Sequence, residues 1–194
     1  MIGANPDPEK GRGTRAHIPA LRHLPDYELV ALCTSNEKTA RADAEHFGVA
    51  RAFSDPREMT ADRNIDLIAV SAKTLLHREM VAAALAERKN VYCEWPLGRS
   101  TEEAVSTLKA TEAACVLSVI GLQGRHNEMI NYAADLTGEG YVGDVVSVSM
   151  TVEQEIFGAT STRANGYTND VSNGATLLHE ARLPIVLQRG AISP

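Results

Sequence analysis

The sequence is poor in the features that mark several large classes of protein. It has no basic excess: 19 Lys and Arg stand against 25 Asp and Glu, a net charge of −6, and no block of like charges occurs. A broad cationic surface is therefore excluded, and with it nucleic acid as a direct partner by electrostatics. No apolar run approaches the roughly 20 residues that cross a bilayer, and the first residues lack the charged-then-apolar order of a signal peptide. Neither a membrane partner nor secretion is expected, and the chain reads as cytoplasmic. Cysteine is scarce. Cys33, Cys93 and Cys115 are an odd number without metal-ligand spacing, each within or beside an apolar segment, so buried free thiols are expected and a metal is not. Length is short too: 194 residues hold one generous domain, or one plus part of another, and not a full two-domain enzyme. What remains is ordinary globular composition, 44% hydrophobic and 23% charged, which excludes disorder and coiled coil and leaves a small molecule or a protein as partner.

Short apolar segments alternate with amphipathic ones over residues 1–124, the rhythm of a parallel sheet with helices on its faces. Leu29 to Thr34, Leu67 to Ala72, Val91 to Cys93 and Val116 to Leu122 are rich in Val, Ile and Leu with little polar alternation, as strands buried on both faces are, and Arg51 to Phe53 is a shorter strand. Ala40, Ala44 and Phe47 repeat at helical spacing before Gly48, which supplies a left-handed stop, so a helix runs from about Asn36 to Phe47. Asp55-Pro56-Arg57-Glu58 reads as the start of a short helix. Leu76, Met80, Val81, Ala84 and Leu85 form another stripe, and Ser100-Thr101-Glu102-Glu103 is a capping box ahead of Ala104 and Leu108. After Gly140 the period changes to two: Val146, Val148, Met150 and Val152 alternate with Ser147, Ser149 and Thr151, predicting a strand with one wet face. The fold class is α/β, a Rossmann-type doubly wound parallel sheet over residues 1–124, followed over residues 125–194 by an incomplete α+β domain.

The segment from Gly3 to Gly13 has the composition of a phosphate cradle between a strand end and a helix start. Gly3, Ala4, Asn5, Gly11, Arg12 and Gly13 are the candidate contacts, because glycines admit close backbone approach and the helix offers unpaired N–H groups and a positive dipole end. The spacing departs from G-x-G-x-x-G, and a surface turn has the same composition. A carboxylate about 20 residues after such a loop ordinarily holds a ribose 2′-hydroxyl. Here the strand ends in Thr34-Ser35-Asn36, with Lys38 and Arg41 beyond, which tilts the choice between NADP and NAD toward NADP. Met1-Ile2 stands where four to six apolar residues ordinarily form the central strand; either the start is misplaced or the fold manages without that strand.

At Cys93-Glu94-Trp95-Pro96-Leu97, with Ser71-Ala72-Lys73 and His77, the sequence resembles the glucose–fructose oxidoreductase and inositol dehydrogenase family, Gfo/Idh/MocA. The loop Gly3 to Gly13, Gly121-Leu122-Gln123-Gly124-Arg125 and Gly140-Tyr141-Val142-Gly143-Asp144 resemble the branch containing the yeast galactose-pathway repressor. The resemblance implies a Rossmann domain and then a second, largely antiparallel domain with the substrate pocket. It implies that Ser71, Lys73 and His77 line the cofactor, that Glu94, Trp95 and Pro96 form the turn beside the nicotinamide ribose, and that Gln123 belongs to the site. The expected ligands are NADP or NAD and a sugar, with a protein partner or a homo-oligomer.

Two departures bear on activity. Most dehydrogenases of this family carry a lysine between the glutamate and the proline, placed toward the substrate oxygen; here Trp95 stands there, and an indole cannot act as that acid. The family's downstream aspartate and histidine are also unmatched: Ser172-Asn173-Gly174-Ala175-Thr176 resembles the approach to them, but His179-Glu180-Ala181-Arg182 does not continue the pattern. No catalytic residue is therefore assigned. The readings are a hydride-transferring oxidoreductase of sugars or polyols, a non-catalytic dinucleotide sensor, or an inactive truncated product.

Overall fold

The computed structural model describes residues 1–5, 11–149 and 170–174. It divides into two compact units, Met1–Gly121 and Leu122–Pro194. Within the first unit the described strands are β1 (Ala31–Cys33), β2 (Arg51–Phe53), β3 (Leu67–Val70), β4 (Asn90–Glu94) and β5 (Ser118–Gly121). Between them run α1 (Ile18–His23), entered through a π-helical turn at Gly13–His17, then α2 (Glu37–His46), α3 (Pro56–Ala61), α4 (Thr74–Ala86) and α5 (Thr101–Ala114).

The helices begin where side chains satisfy their orphan N–H groups. Asn36 accepts from Thr39 N at 2.9 Å, and Asp55 from Arg57 N at 2.8 Å ahead of Pro56. Ser100 Oγ accepts from Glu103 N at 3.3 Å, but the return leg of the box goes to Arg99, whose N–H donates to Glu103 Oε2 at 2.9 Å. Gly48, at φ +63°, ends the turn after α2 in the left-handed region.

All strand pairs are parallel: Leu32 lies opposite Ala52, Ile68 opposite Val91 and Cys93 opposite Ile120. Ile2 bridges Cys33 on one side and Val70 on the other, so the order is β2, β1, Ile2, β3, β4, β5. A single residue thus fills the central slot. Backbone bonds hold it from both sides: Cys33 N to Met1 O at 2.9 Å, Gly3 N to Cys33 O at 3.0 Å, Ile2 N to Ala69 O at 2.8 Å and Ser71 N to Ile2 O at 2.9 Å. The Met1 amino group donates to Ala31 O at 2.7 Å, and burial pushes it down from 8.0 to about 5.

Side-chain alternation along the strands builds two apolar layers. Cys33, Ile68, Val70 and Val91 meet Met59 of α3 and Val81, Ala84 and Leu85 of α4, while Leu32 meets Ile18 of α1, Ala44 of α2 and Phe47 just after it. Helices therefore cover both faces, and each fully buried aliphatic side chain contributes about 1.5–3 kcal/mol.

Two expectations need correction. Cys33 and Cys93 are buried free thiols, pushed up by burial to about 11 and about 12, but Cys115 is exposed. It ends α5 in the left-handed region at φ +53°, outside any strand. The alternating stretch is not a strand over its described part, Val146 to Ser149, because no described strand lies beside it to pair with; Met150 to Val152 lie outside the described residues. In the second unit the described elements are a 3-10 turn at Gln123–His126, α6 (Glu128–Gly138) and a 3-10 turn at Val171–Asn173.

Candidate functional site

The chain runs from Ile2 out to β1 and β2 on one side and returns to β3, β4 and β5 on the other. Its strand order therefore reverses at Ile2, and in an open parallel sheet the crevice for a ligand opens outside the carboxyl ends of the strands at such a point. Gly3, Thr34, Ser71 and Glu94 all stand at those ends.

Gly3 has φ +94°, and a Cβ there would lie 1.8 Å from Ser71 O. A Cβ on Gly13 would lie 2.9 Å from Gly3 O and 3.5 Å from Ser71 Oγ. Only glycine permits both approaches, so the start of the loop, the start of the following helix and the end of β3 are packed backbone to backbone. Ala4 is buried, and Asn5 is tied to Thr14, its N–H donating to Oγ1 at 3.2 Å while the same hydroxyl donates to Asn5 O. Gly11 has open space around its Cβ position, and Arg12 caps the helical turn at half burial. Pro6 to Lys10 lie outside the described residues.

Glu94 ties three segments together. Its Oε2 accepts from Ser71 Oγ at 3.1 Å, and its Oε1 is 2.7 Å from His17 Nε2. The His17 ring meets Tyr92 edge-on, centroids 5.4 Å apart at 71°. Burial, then the Glu94 charge, hold the Tyr92 phenol above its ordinary value.

The turn after Glu94 is braced from α4. His77 is fully buried, with Nδ1 2.8 Å from Pro96 O and Nε2 2.9 Å from Ala72 O. It spans the ends of β3 and β4 instead of presenting a free nitrogen to a ligand. Between Glu94 and Pro96, the Trp95 indole N–H is buried and has no hydrogen-bond partner among the described residues. Lys73 is exposed at the N-cap of α4.

At the end of β1, Thr34 Oγ1 donates to Asn36 O at 3.1 Å and lies 2.6 Å from Thr39 Oγ1, and Ser35 is exposed. Arg41, read from the sequence as tolerant of a 2′-phosphate, is paired with Glu37 one helical turn before it. Among the described residues no group of three or more His, Cys, Asp or Glu is placed to hold a metal ion.

These residues fit a dinucleotide: two glycines are compressed to backbone contact below a helix start, an anchored carboxylate stands beside them, and a buried donor without a partner follows it. A family model described as an oxidoreductase family with an NAD-binding Rossmann fold matches residues 10–122, more than half of the chain. The chain belongs to the Gfo/Idh/MocA family. Its relatives include the galactose/lactose metabolism regulatory protein of Saccharomyces cerevisiae, 27% identical over 87% of this chain and 41% of the relative. They also include the myo-inositol 2-dehydrogenase of Thermotoga maritima, 29% identical over 69% of this chain and 40% of the relative. Among solved structures, a super-repressor mutant of Gal80p from Saccharomyces cerevisiae aligns with a TM-score of 0.80 and 26% identity over 92% of this chain and 48% of that chain. The chain spans about two fifths of the length of the curated relatives it matches.

For this Gfo/Idh/MocA chain the structure brings Gly3, Gly13, Ser71 and Glu94 into one cluster, with Ala4 and Asn5 on the same loop and Pro96 held through His77. Gln123 is exposed in the 3-10 turn of the second unit, and His179 lies outside the described residues. Sequence reasoning missed His17 and Tyr92. Tyr92 carries no signal apart from its place two residues before Glu94 in β4; His17 stands one helical turn beyond Gly13, on the segment that follows the loop.

Proposed function

We propose that this chain binds a nicotinamide dinucleotide at the carboxyl ends of its strands, and that the whole protein is of the oxidoreductase type that moves hydride to or from a sugar or polyol. The convergence of Gly3, Gly13, Ser71 and Glu94 where the strand order reverses carries this reading. The loop residues Gly3, Ala4, Asn5, Gly11, Arg12 and Gly13 take the pyrophosphate, Thr34 and Ser35 the adenosine ribose, and Ser71, Lys73, Glu94, Trp95 and Pro96 the nicotinamide half, with His77 bracing the turn from α4. When bound, the dinucleotide supplies the hydride chemistry; the protein's part is to hold and orient it. Calorimetric titration with NAD and NADP in both redox states tests this. Binding is expected, with NADP at least as tight as NAD because no carboxylate ends β1 to repel a 2′-phosphate. No heat with any of them would overturn the assignment, and a clear preference for NAD would overturn its second half.

A non-catalytic reading is favoured by Trp95. Its indole accepts no proton and yields none in the ordinary range, so the motif lysine's role is vacant, and general acid–base assistance is worth roughly 10²–10⁴-fold. The chain as it stands is expected to bind dinucleotide without turning over sugars or polyols, and Trp95→Lys alone should not restore turnover. The absorbance of reduced nicotinamide across a substrate panel decides it; sustained reduction by the unmodified chain would overturn this reading. A sugar ligand, a protein partner or second copy of the chain, and a cytoplasmic location belong to the same proposal, the last supported by the protonated, buried thiols Cys33 and Cys93.

A further inference from the structure

We propose that His17 is a positioning residue of the dinucleotide site, acting through Glu94; the inference rests on the dinucleotide reading above. His17 ends the π-helical turn that begins at Gly13, and its ring reaches across 77 positions of sequence to the last residue of β4. There Nε2 lies 2.7 Å from Glu94 Oε1, with the two side chains 20% and 15% exposed. The other carboxylate oxygen takes the Ser71 hydroxyl at 3.1 Å. One carboxylate therefore fixes the helix after the loop, the end of β3 and the end of β4.

The chemistry of the pair makes this a matter of placement. A carboxylate oxygen has two lone pairs, so with one donor on each oxygen Glu94 still has capacity for a ligand hydroxyl. Without His17 the carboxylate loses one of its two anchors and is free to rotate about its terminal torsion, which is broad in glutamate. A donor bonded to a charged acceptor inside a half-buried site is among the stronger hydrogen bonds a protein makes, and a 2.7 Å N···O separation is in the charge-assisted range. Tyr92 holds the ring edge-on, so the imidazole is packed as well as bonded. The pairing also couples the loop to the rest of the site: Gly13, four residues before His17, is the glycine pressed against Gly3 O.

The experiment compares His17→Gln, whose amide nitrogen stands at the reach of Nε2, with His17→Phe, which keeps a ring against Tyr92 but has no donor, and His17→Asn, whose amide is too short. Dissociation constants for NADP and NAD are measured by calorimetry, and the indole N–H resonance of Trp95, the single tryptophan of the chain, is followed in the ligand-free proteins. The Phe and Asn variants are expected to bind about tenfold more weakly or worse, the Gln variant within about twofold of the parent. The Trp95 resonance is expected to shift in Phe and Asn and to stay in Gln, which a merely structural contribution of the ring would not produce. If His17→Phe fails to fold, His17→Asn carries the comparison. Binding by the parent that is unaltered in Phe or Asn, or equally lost in Gln, overturns the positioning assignment and leaves the dinucleotide reading standing. Absence of binding by the parent overturns both.

Discussion

Helices α4 and α6 start from comparable local chemistry and end in different surroundings. Each carries apolar residues at helical spacing, and α6 has the better cap, Asn127 accepting from Met129 N at 3.1 Å and Ile130 N at 3.2 Å, whereas α4 has no side-chain cap bond. Yet α4 buries Thr74, His77, Val81, Ala84 and Leu85, and α6 buries no residue, with Met129 75% and Tyr132 59% exposed. The difference is a sheet. α4 is the crossover between the paired strands β3 and β4 and packs on them, while no described strand of the second unit offers α6 such a surface. Capping and periodicity make a helix; burial needs a partner surface already assembled by pairing distant segments.

The comparison predicts that equivalent changes cost far more in the first unit. The largest effect is expected at glycines with positive φ. Gly3→Ala places a Cβ 1.8 Å from Ser71 O and must displace the end of β3, whereas Gly140→Ala, at φ +79° in open space, meets nothing. Denaturant unfolding followed by far-ultraviolet circular dichroism should show a loss of more than about 4 kcal/mol for Gly3→Ala, while Gly140→Ala adds only the backbone strain of about 1–2 kcal/mol to its own unit. Similar costs at the two glycines would break the comparison.

Next is the buried amino group, which belongs to the first unit alone. Its folded value of about 5 lies below its ordinary 8.0, so the unfolded chain binds this proton more tightly. Above pH 8 neither state is protonated and the group costs nothing. As pH falls from 8 to 5 the unfolded state takes up a proton that the folded state refuses, and stability drops, the loss being complete below pH 5 at up to about 4 kcal/mol. Stability measured across this window should rise with pH, and acetylation of Met1 should flatten that part of the slope. An acetylated chain with an unchanged slope would assign the dependence to other groups.

A change of comparable size compares side chains. Ile68→Ala empties a fully buried position in β3 and should cost about 2–5 kcal/mol, while Met129→Ala on α6 should stay within about 0.5 kcal/mol. Chemical denaturation of both variants checks this, and a core-sized loss from Met129→Ala would show that α6 has a packing surface after all.

Most of the parallel layer was legible because its signals are local. Asp55 and Ser100 cap helices as read, and all five strands were marked, although pairing trims β1, β3 and β5 and lengthens β4: Val116 and Leu117 fall outside β5, where Leu117 is 68% exposed. Of the candidate site, Gly3 and Gly13 were legible as residues that suit close backbone approach, and Ser71 and Glu94 only through the family resemblance. The resemblance singled out His77, but not that carbonyl oxygens of Pro96 and Ala72 would stand beside its two nitrogens. Cys115 misled because an apolar neighbourhood in sequence, Ala114 to Leu117, became a helix stop at the surface.

The sequence by itself determined the alternation of strand and helix, the places where helices begin, and the glycines of the loop, since each depends on residues a few positions apart. The tertiary structure alone decided that Ile2 bridges β1 and β3, that His17 meets Glu94, and that the Trp95 N–H has no partner among the described residues. Those outcomes depend on pairings between segments dozens of residues apart, which exist only once β1, β3 and β4 have assembled around Ile2 and fixed where their carboxyl ends lie.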